Sequence, residues 1–377
     1  MNASPIRSHR QDFSEQVIPE FLNNGWMLAL NAEEVLVGWG AWQTNLKSED
    51  VSGGACLYAP DFFLDALDGA WRLTPSWEIL ERSRFASIVL SGLGRNVNGE
   101  EQRFQWVEPE LKTFEAQFQS IREGMRERGL KKAVPVVFGT AQGAVDAKRR
   151  HQILARVLEQ PSHLYPYGYW ETLSDGANFG MIGVTPEILF SQNEPESFET
   201  VALAGTRAKD QHLQNNLMND PKERHEHQLV IDDIQCVLKN MGDAQIAQTD
   251  VVELPTLVHL RTSIQAHLAR PHSFDEIVEA LHPTPALGVA PRDLGFEEMR
   301  RWDSREERLR FGAPFGARFM RGGEEHRHCL VAIRNIQWQD RAVQLGSGCG
   351  IVPASELEKE WQELQLKRES VKRMLGV

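Results

Sequence analysis

The sequence is poor in the features that mark several protein classes. Its four cysteines, Cys56, Cys236, Cys329 and Cys349, are scattered and form no CxxC pair, so neither a cysteine-bound zinc site nor a disulfide framework is indicated. No apolar run is long enough to span a membrane. Residues Met1 to Glu15 are polar and mixed in charge, with no apolar signal region. Together these absences predict a soluble, cytoplasmic protein. Positive charge is also in deficit. A net charge of −12 speaks against a general nucleic-acid binder, which needs a basic surface. An anionic small molecule would then be attracted only by a local cluster of Lys and Arg or by a bound cation. There is no short-period repeat and no low-complexity tract. HExxH is missing too: His225 and His227 flank Glu226, a spacing that disfavours a zinc protease site.

The chain does have enough apolar material for a large core. Hydrophobic residues make up 41%, with 17 Phe and 10 Trp, over 377 residues, a length compatible with one large domain. The most informative stretch is C-terminal. Gly346-Ser-Gly-Cys-Gly-Ile-Val-Pro-Ala354 is a glycine-dense turn that lets backbone amides approach a ligand. A helix follows, read as capped by Ser355 with Glu358 in a capping box. Glu360, Glu363 and Lys367 fall at i, i+3 and i+7, on one face. Two carboxylates and an ammonium beside a glycine turn can hold a cation and an anion together. The same pattern also describes a solvated, ion-paired helix face.

The rest of the chain reads as alternating strands and helices. Trp26–Leu30 and Val35–Gly40 form a hairpin, Phe85–Leu90 is a further strand and Asn96–Gly99 a turn. Residues 108–130 are helical on the spacing of Leu111, Phe114, Phe118 and Ile121, a stripe that serves core packing. Ala133–Phe138 is a strand whose Pro135 marks an edge or a bulge. Residues 145–160 form another amphipathic helix. An apolar strand from Gly180 breaks at Thr185-Pro186. Glu187 beyond it is flanked by apolar residues, and burial there would raise its pKa toward use as a general acid; a turn glutamate pointing outward is the alternative. Thr200–Arg207 is a strand, Lys209–Asp220 a loop, and Pro221 opens a helix that carries Glu226. Leu257–Ile264 is a strand, and Ser273 with Glu276 caps a short helix that ends at His282-Pro-Thr-Pro-Ala-Leu287.

In this order the segments resemble the chorismate-utilising enzymes. That family includes the isochorismate synthases of menaquinone and siderophore biosynthesis, the salicylate synthases, and the large subunits of anthranilate and aminodeoxychorismate synthases. The resemblance covers about residues 125–377. It rests on Gly183-Val-Thr-Pro-Glu187, Leu203-Ala-Gly-Thr-Arg207, Lys222-Glu-Arg-His-Glu-His-Gln-Leu-Val230, Val258-His-Leu-Arg261, Leu281-His-Pro-Thr-Pro-Ala-Leu287, Ala332-Ile-Arg334, Gly348-x-Gly-Ile-Val, and Glu360-Trp-x-Glu363 with Lys367. The fold it implies is α/β (α+β): one large domain of two stacked, mainly antiparallel sheets with outer helices, like component I of anthranilate synthase. Residues 1–120 would be the variable N-terminal part of that fold and 121–377 its chorismate-binding core.

The resemblance also implies roles. Glu226 and Glu363 would ligate Mg²⁺, with Glu360 helping to hold the cation. Arg334, Lys367 and the backbone of Gly348 and Gly350 would meet the enolpyruvyl carboxylate, and Gly205 and Thr206 the ring carboxylate. His259 and Glu223 would support them. Lys132 aligns with the lysine that activates water for attack at C2, with Lys131 as the alternative, and Glu187 with the acid that protonates the departing 4-hydroxyl. Two features depart from the family pattern: the strand after the lysine has no arginine, and Cys349 stands where a small residue is usual. Lys132 and the His282 loop are the isochorismate-synthase form, implying an isomerase that acts on chorismate without a glutaminase subunit, nucleic acid or membrane. Salicylate synthase, an anthranilate-type or aminodeoxychorismate-type subunit, and a non-catalytic chorismate binder are the rival readings.

Overall fold

The computed structural model describes residues 9–47, 54–65, 70–91, 103–209, 216–254 and 256–377. The expected Asn96–Gly99 turn and part of the 209–220 loop lie outside them. Most strands fall into two sheets. A nine-stranded sheet runs, in spatial order, His9–Arg10, Ser76–Glu81, Glu34–Trp39, Gly25–Ala29, Tyr165–Thr172, Asn178–Thr185, Asn335–Gln339, Ala342–Gly348 and Val136–Gln142. A ten-stranded sheet runs Gly242–Ile246, Leu257–Leu268, Ser197–Ala208, Ile188–Glu194, Glu324–Val331, Pro314–Arg321, Ala55–Tyr58, Trp71–Leu73 and Gln43–Leu46, with Asp250–Glu253 also paired to Leu257–Leu268. Neighbours are antiparallel apart from the parallel pair His9–Arg10 and Ser76–Glu81. Lys132–Ala133 and Val289–Ala290 form a small separate pair.

The sheets face each other across a shared apolar layer. Trp26, Leu28, Leu36 and Met181 from one sheet pack with Leu57, Phe315, Ala317 and Leu330 from the other. The outer face of the ten-stranded sheet is covered by the helices Leu111–Glu127, Pro221–Lys239 and Phe274–Leu281, through Phe114, Ile121, Val230, Ile234, Phe274 and Ile277. The outer face of the nine-stranded sheet is covered by the helices Ile18–Asn23, Arg82–Ser91 and Ala147–Leu158 and the C-terminal helix Leu357–Leu375. The C-terminal helix joins both cores, burying Leu364 in the first and Val371, Met374 and Leu375 in the second. This is the expected α/β (α+β) architecture of two stacked antiparallel sheets with outer helices. No helix among the described residues is long and apolar enough to cross a membrane.

Two local expectations are corrected. Phe85–Leu90 is not a strand but lies in the helix Arg82–Ser91. Phe85 and Val89, four residues apart, are fully buried against the core, and Arg82 ties the helix start to the carbonyls of Ser162 and Leu164. A short run rich in β-branched residues fits either period, and here packing selects the helical one. Ser355 does not form the capping box read at the C-terminal helix, whose N-cap is Glu356 without a side-chain bond. The Ser355 hydroxyl instead accepts from the Val352 amide at 3.1 Å and closes the turn before the helix. The other box is present: the Ser273 hydroxyl accepts from the Glu276 amide and Glu276 accepts from the Ser273 amide. Pro135 divides the expected 133–138 strand, and Val136–Gln142 forms the sheet edge.

Candidate active site

Two neighbouring strand pairs create the site. Asn178–Thr185 and Asn335–Gln339 pair in the nine-stranded sheet, while their continuations Ile188–Glu194 and Glu324–Val331 pair in the ten-stranded one. The chain thus crosses between sheets twice, side by side, once at Pro186-Glu187 and once at Ala332–Arg334. The Thr185 hydroxyl accepts from the Glu187 amide, and the Val331 amide donates to the Glu187 carbonyl. The second crossing is pinned by Asn335, whose amide donates to the Ala332 carbonyl and the Tyr167 hydroxyl, and Tyr167 donates to the Ile333 carbonyl. Arg334 adopts φ +57°, a left-handed conformation that L-residues enter at a cost of roughly 1–2 kcal/mol.

Both crossings border a cavity of about 630 Å³, part of it open to solvent. Glu187, Gly205, Thr206, Glu226, His259, Arg334, Gly348, Gly350 and Lys367 line it; these are nine of the residues singled out from the sequence. Lys132 does not line it. It is fully buried behind Gly350, with Nζ 3.0 Å from Glu226 Oε1, outside hydrogen-bonding alignment. Lys131 is exposed. Glu360 and Glu363 border an adjoining, larger and more open cavity of about 1360 Å³, which shares Thr206 with the first.

Polar groups in the inner cavity are arranged for an anion. Arg334 is buried, and its Nε and Nη1 have no hydrogen-bond partner. Its Nη2 donates to His259 Nε2. Burial, reinforced by the cations Arg334 and Lys367, holds the His259 imidazole well below its usual pKa, so it is neutral. With Nε2 accepting, the proton is assigned to Nδ1, which donates to the Thr206 hydroxyl at 2.9 Å. The Thr206 hydrogen is then left to donate into the cavity. Burial lowers the Arg334 guanidinium to about 10, partly offset by Glu187, and it stays charged at neutral pH. A buried guanidinium with open N–H groups calls for a carboxylate, whose geometry matches its planar fork.

Gly205 sits at a bulge in Ser197–Ala208 with φ +76°. The bulge turns the Thr206 amide onto Glu223 Oε2 at 2.9 Å. Lys367 donates to the Gly348 carbonyl and pairs with Glu363, each at 2.7 Å. Burial pushes the Glu187 carboxyl up to about 7, against the lowering pull of Lys132, Arg334 and Lys367. It is therefore available as an acid near neutral pH.

Four carboxylates cluster where the helices Pro221–Lys239 and Leu357–Leu375 meet: Glu223, Glu226, Glu360 and Glu363. Burial and like charge raise Glu223 and Glu360, with Glu226 acting most strongly on the first and Glu363 on the second. Burial acts on Glu226 in the same direction, but Lys132 and Lys222 outweigh it and hold Glu226 below the usual range. Among the described residues no three such groups converge on one point at metal-ligand spacing, since each carboxylate is drawn to an ammonium. Glu360 Oε2 is nevertheless buried with no hydrogen-bond partner. An orphaned oxygen among hard oxygen donors that repel one another is chemistry suited to a divalent cation such as Mg²⁺.

Sequence reading missed part of the wall. Leu287 and Phe311 line the inner cavity, and Arg308 holds both by donating to their carbonyls at 2.9 and 3.3 Å. Arg308 is fully buried, paired with Asp303 and laid 3.4 Å from the centre of the Phe62 ring. His282 bonds the Phe62 carbonyl at 2.7 Å. Leu287 closes the 281–287 motif, for which no wall role was read, and Phe311 falls in no motif. Lys222 lies within the 222–230 motif, and its sequence context alone points to no role.

The sequence profile of the family described as chorismate binding enzyme matches residues 83–376. The chain belongs to that family. A salicylate biosynthesis isochorismate synthase of Pseudomonas aeruginosa is 33% identical over 207 residues, covering 53% of this chain and 42% of that protein. The matched stretches span about half the length of the curated relatives. The solved structure of MenF, the menaquinone-specific isochorismate synthase from Escherichia coli, superposes with a TM-score of 0.71 at 20% identity, covering 97% of this chain and 91% of MenF. Anthranilate synthase component I from Streptococcus pneumoniae gives a TM-score of 0.66 at 17% identity, covering 88% and 83%. At these identities the two structures establish the shared fold.

Proposed function

We propose that the protein is an isochorismate synthase that isomerises chorismate with the aid of Mg²⁺. The observation that carries the reading is the pairing, in one cavity wall, of a buried acid with a pKa near 7 and a buried guanidinium with open N–H groups. Arg334 and Lys367 take the enolpyruvyl carboxylate, joined by the backbone of Gly348 and Gly350. Gly205 and Thr206, held by Glu223 and His259, take the ring carboxylate. Glu226 and Glu363, with Glu360, hold the cation, which supplies positive charge for a dianionic substrate in an acidic protein.

Lys132, once neutral and released from Glu226 toward the inner cavity, accepts a proton from water as the water oxygen bonds to C2 and both ring double bonds shift toward C4. The C4–O bond breaks, and Glu187 passes its proton to the departing hydroxyl, which leaves as water. One water enters and one leaves, so substrate and product have equal mass. The isochorismate synthases among the relatives support this reading.

The test is product analysis. Protein incubated with chorismate and Mg²⁺ is expected to yield a new chromatographic peak of unchanged mass that disappears with EDTA. Salicylate with pyruvate would move the protein to the salicylate synthases, and ammonia-dependent anthranilate to the amine-using branch. No product while chorismate still binds would sink the catalytic reading. A companion prediction concerns Arg334. Arg334→Met removes charged hydrogen bonds worth roughly 1.5–3 kcal/mol, so KM for chorismate should rise about 10- to 100-fold. An unchanged KM in steady-state assays would remove Arg334 from the carboxylate site.

A further inference from the structure

Lys222 takes no part in the chemistry above, yet it sits at the centre of the acidic cluster. Its Nζ lies 2.7 Å from Glu360 Oε1 and 3.2 Å from Glu223 Oε1. Burial works against its charge, but Glu226, Glu360, Glu223 and Glu363 outweigh burial and raise its pKa. The three ammonium groups of the cluster differ in their surroundings. Lys132 is sealed in the interior, and Lys367 faces the inner cavity. Lys222 borders the outer cavity, its side chain is 23% exposed, and Asp220 and Glu356 stand on the same wall.

An ammonium and a divalent cation compete for the same carboxylate oxygens. Lysine carries its charge on a flexible four-carbon stem and can withdraw without moving the backbone. We propose that Lys222 is a tethered competitor of the divalent cation, holding Glu223 and Glu360 together until a cation displaces it into the outer cavity. The inference rests on the cation reading given above. It implies that apparent cation affinity is reduced by the fraction of molecules in which the lysine has withdrawn. The carboxylates are neutralised before and after the exchange, so the cluster is not left to repel itself.

The experiment measures Mn²⁺ binding to the whole protein by electron paramagnetic resonance, without substrate, for wild type and Lys222→Met. Methionine keeps much of the stem and removes the charge. Mn²⁺ should bind about ten-fold more tightly to the variant, the gain expected if the lysine is withdrawn in about a tenth of wild-type molecules. The variant's melting midpoint should fall without cation and recover more than wild type's when Mn²⁺ is added. Equal or weaker Mn²⁺ binding by the variant would overturn the competitor role and leave the cation site standing. Absence of Mn²⁺ binding by both proteins would overturn the cation reading, and this inference with it. A second measurement needs no variant. Reductive methylation of Lys222 in wild type, followed by peptide mass spectrometry, should be faster with Mn²⁺ than without. A rate that stays the same or falls would also overturn the inference.

Discussion

Glu187→Gln is expected to lower kcat for chorismate by about 10²- to 10⁴-fold, the range for removing a general acid, while leaving chorismate affinity within a few-fold. Glutamine keeps the size of the side chain and cannot give up a proton to the leaving hydroxyl. A pH profile gives the sharper readout. Burial sets the Glu187 carboxyl at about 7, so its proton is present below that pH and is lost as pH rises through it. Wild-type turnover should therefore fall above pH ~7, by about ten-fold per unit well past the midpoint, if this proton limits the rate. The residual activity of the variant should lack that limb. A variant that keeps most of its turnover, or the same alkaline limb, would show that the acid is another group.

The second large effect comes from adding one methyl group. Gly350→Ala would place a Cβ 2.0 Å from Glu226 Oε1, 2.4 Å from its Cδ and 2.9 Å from Lys132 Cε. Non-bonded carbon and oxygen do not approach so closely, so the Glu226 carboxylate and the Lys132 stem must both shift. These are the proposed cation ligand and the proposed base, and misplacement by about 1 Å can cost about 10²-fold in rate. The expected result is a loss of that order together with weaker Mn²⁺ binding, with the far-ultraviolet dichroism of wild type retained. Wild-type activity in Gly350→Ala would mean that the side chains behind Gly350 are not part of the machinery.

The sequence was legible where local chemistry decides the outcome. The hairpin of Gly25–Ala29 and Glu34–Trp39, the capped helix Phe274–Leu281 and the helix opened by Pro221 all follow from neighbouring residues. The family motifs carried the two-sheet fold as well. Other features depended on distant contacts. Thr185-Pro186 reads as a break, but only the pairing partners on each side reveal that the chain changes sheet there. Glu360, Glu363 and Lys367 could be placed on one helical face from their spacing, whereas the meeting of that helix with Lys222 and Glu223 depends on packing between Pro221–Lys239 and Leu357–Leu375, which local periodicity does not report. Leu287 stands in the 281–287 motif, but its place in the wall depends on Arg308, 21 residues further on, and Phe311, held by the same arginine within one turn, falls in no motif.

The paired crossings have a consequence for how such a site could diversify. The acid and the guanidinium sit on short links that run at each end into a strand of one sheet and a strand of the other, so neither can be exchanged like a surface loop. A transplant of one sheet alone would lose the frame that aims both groups. Variation that leaves the frame intact has two places to act: the 282–288 segment, which contributes Ala286 and Leu287 to the wall, and the exposed ends of the carboxylate-bearing helices. A library confined to those positions should yield folded proteins with altered substrate preference. Insertions at 186 or 333 should uncouple the sheets and give none.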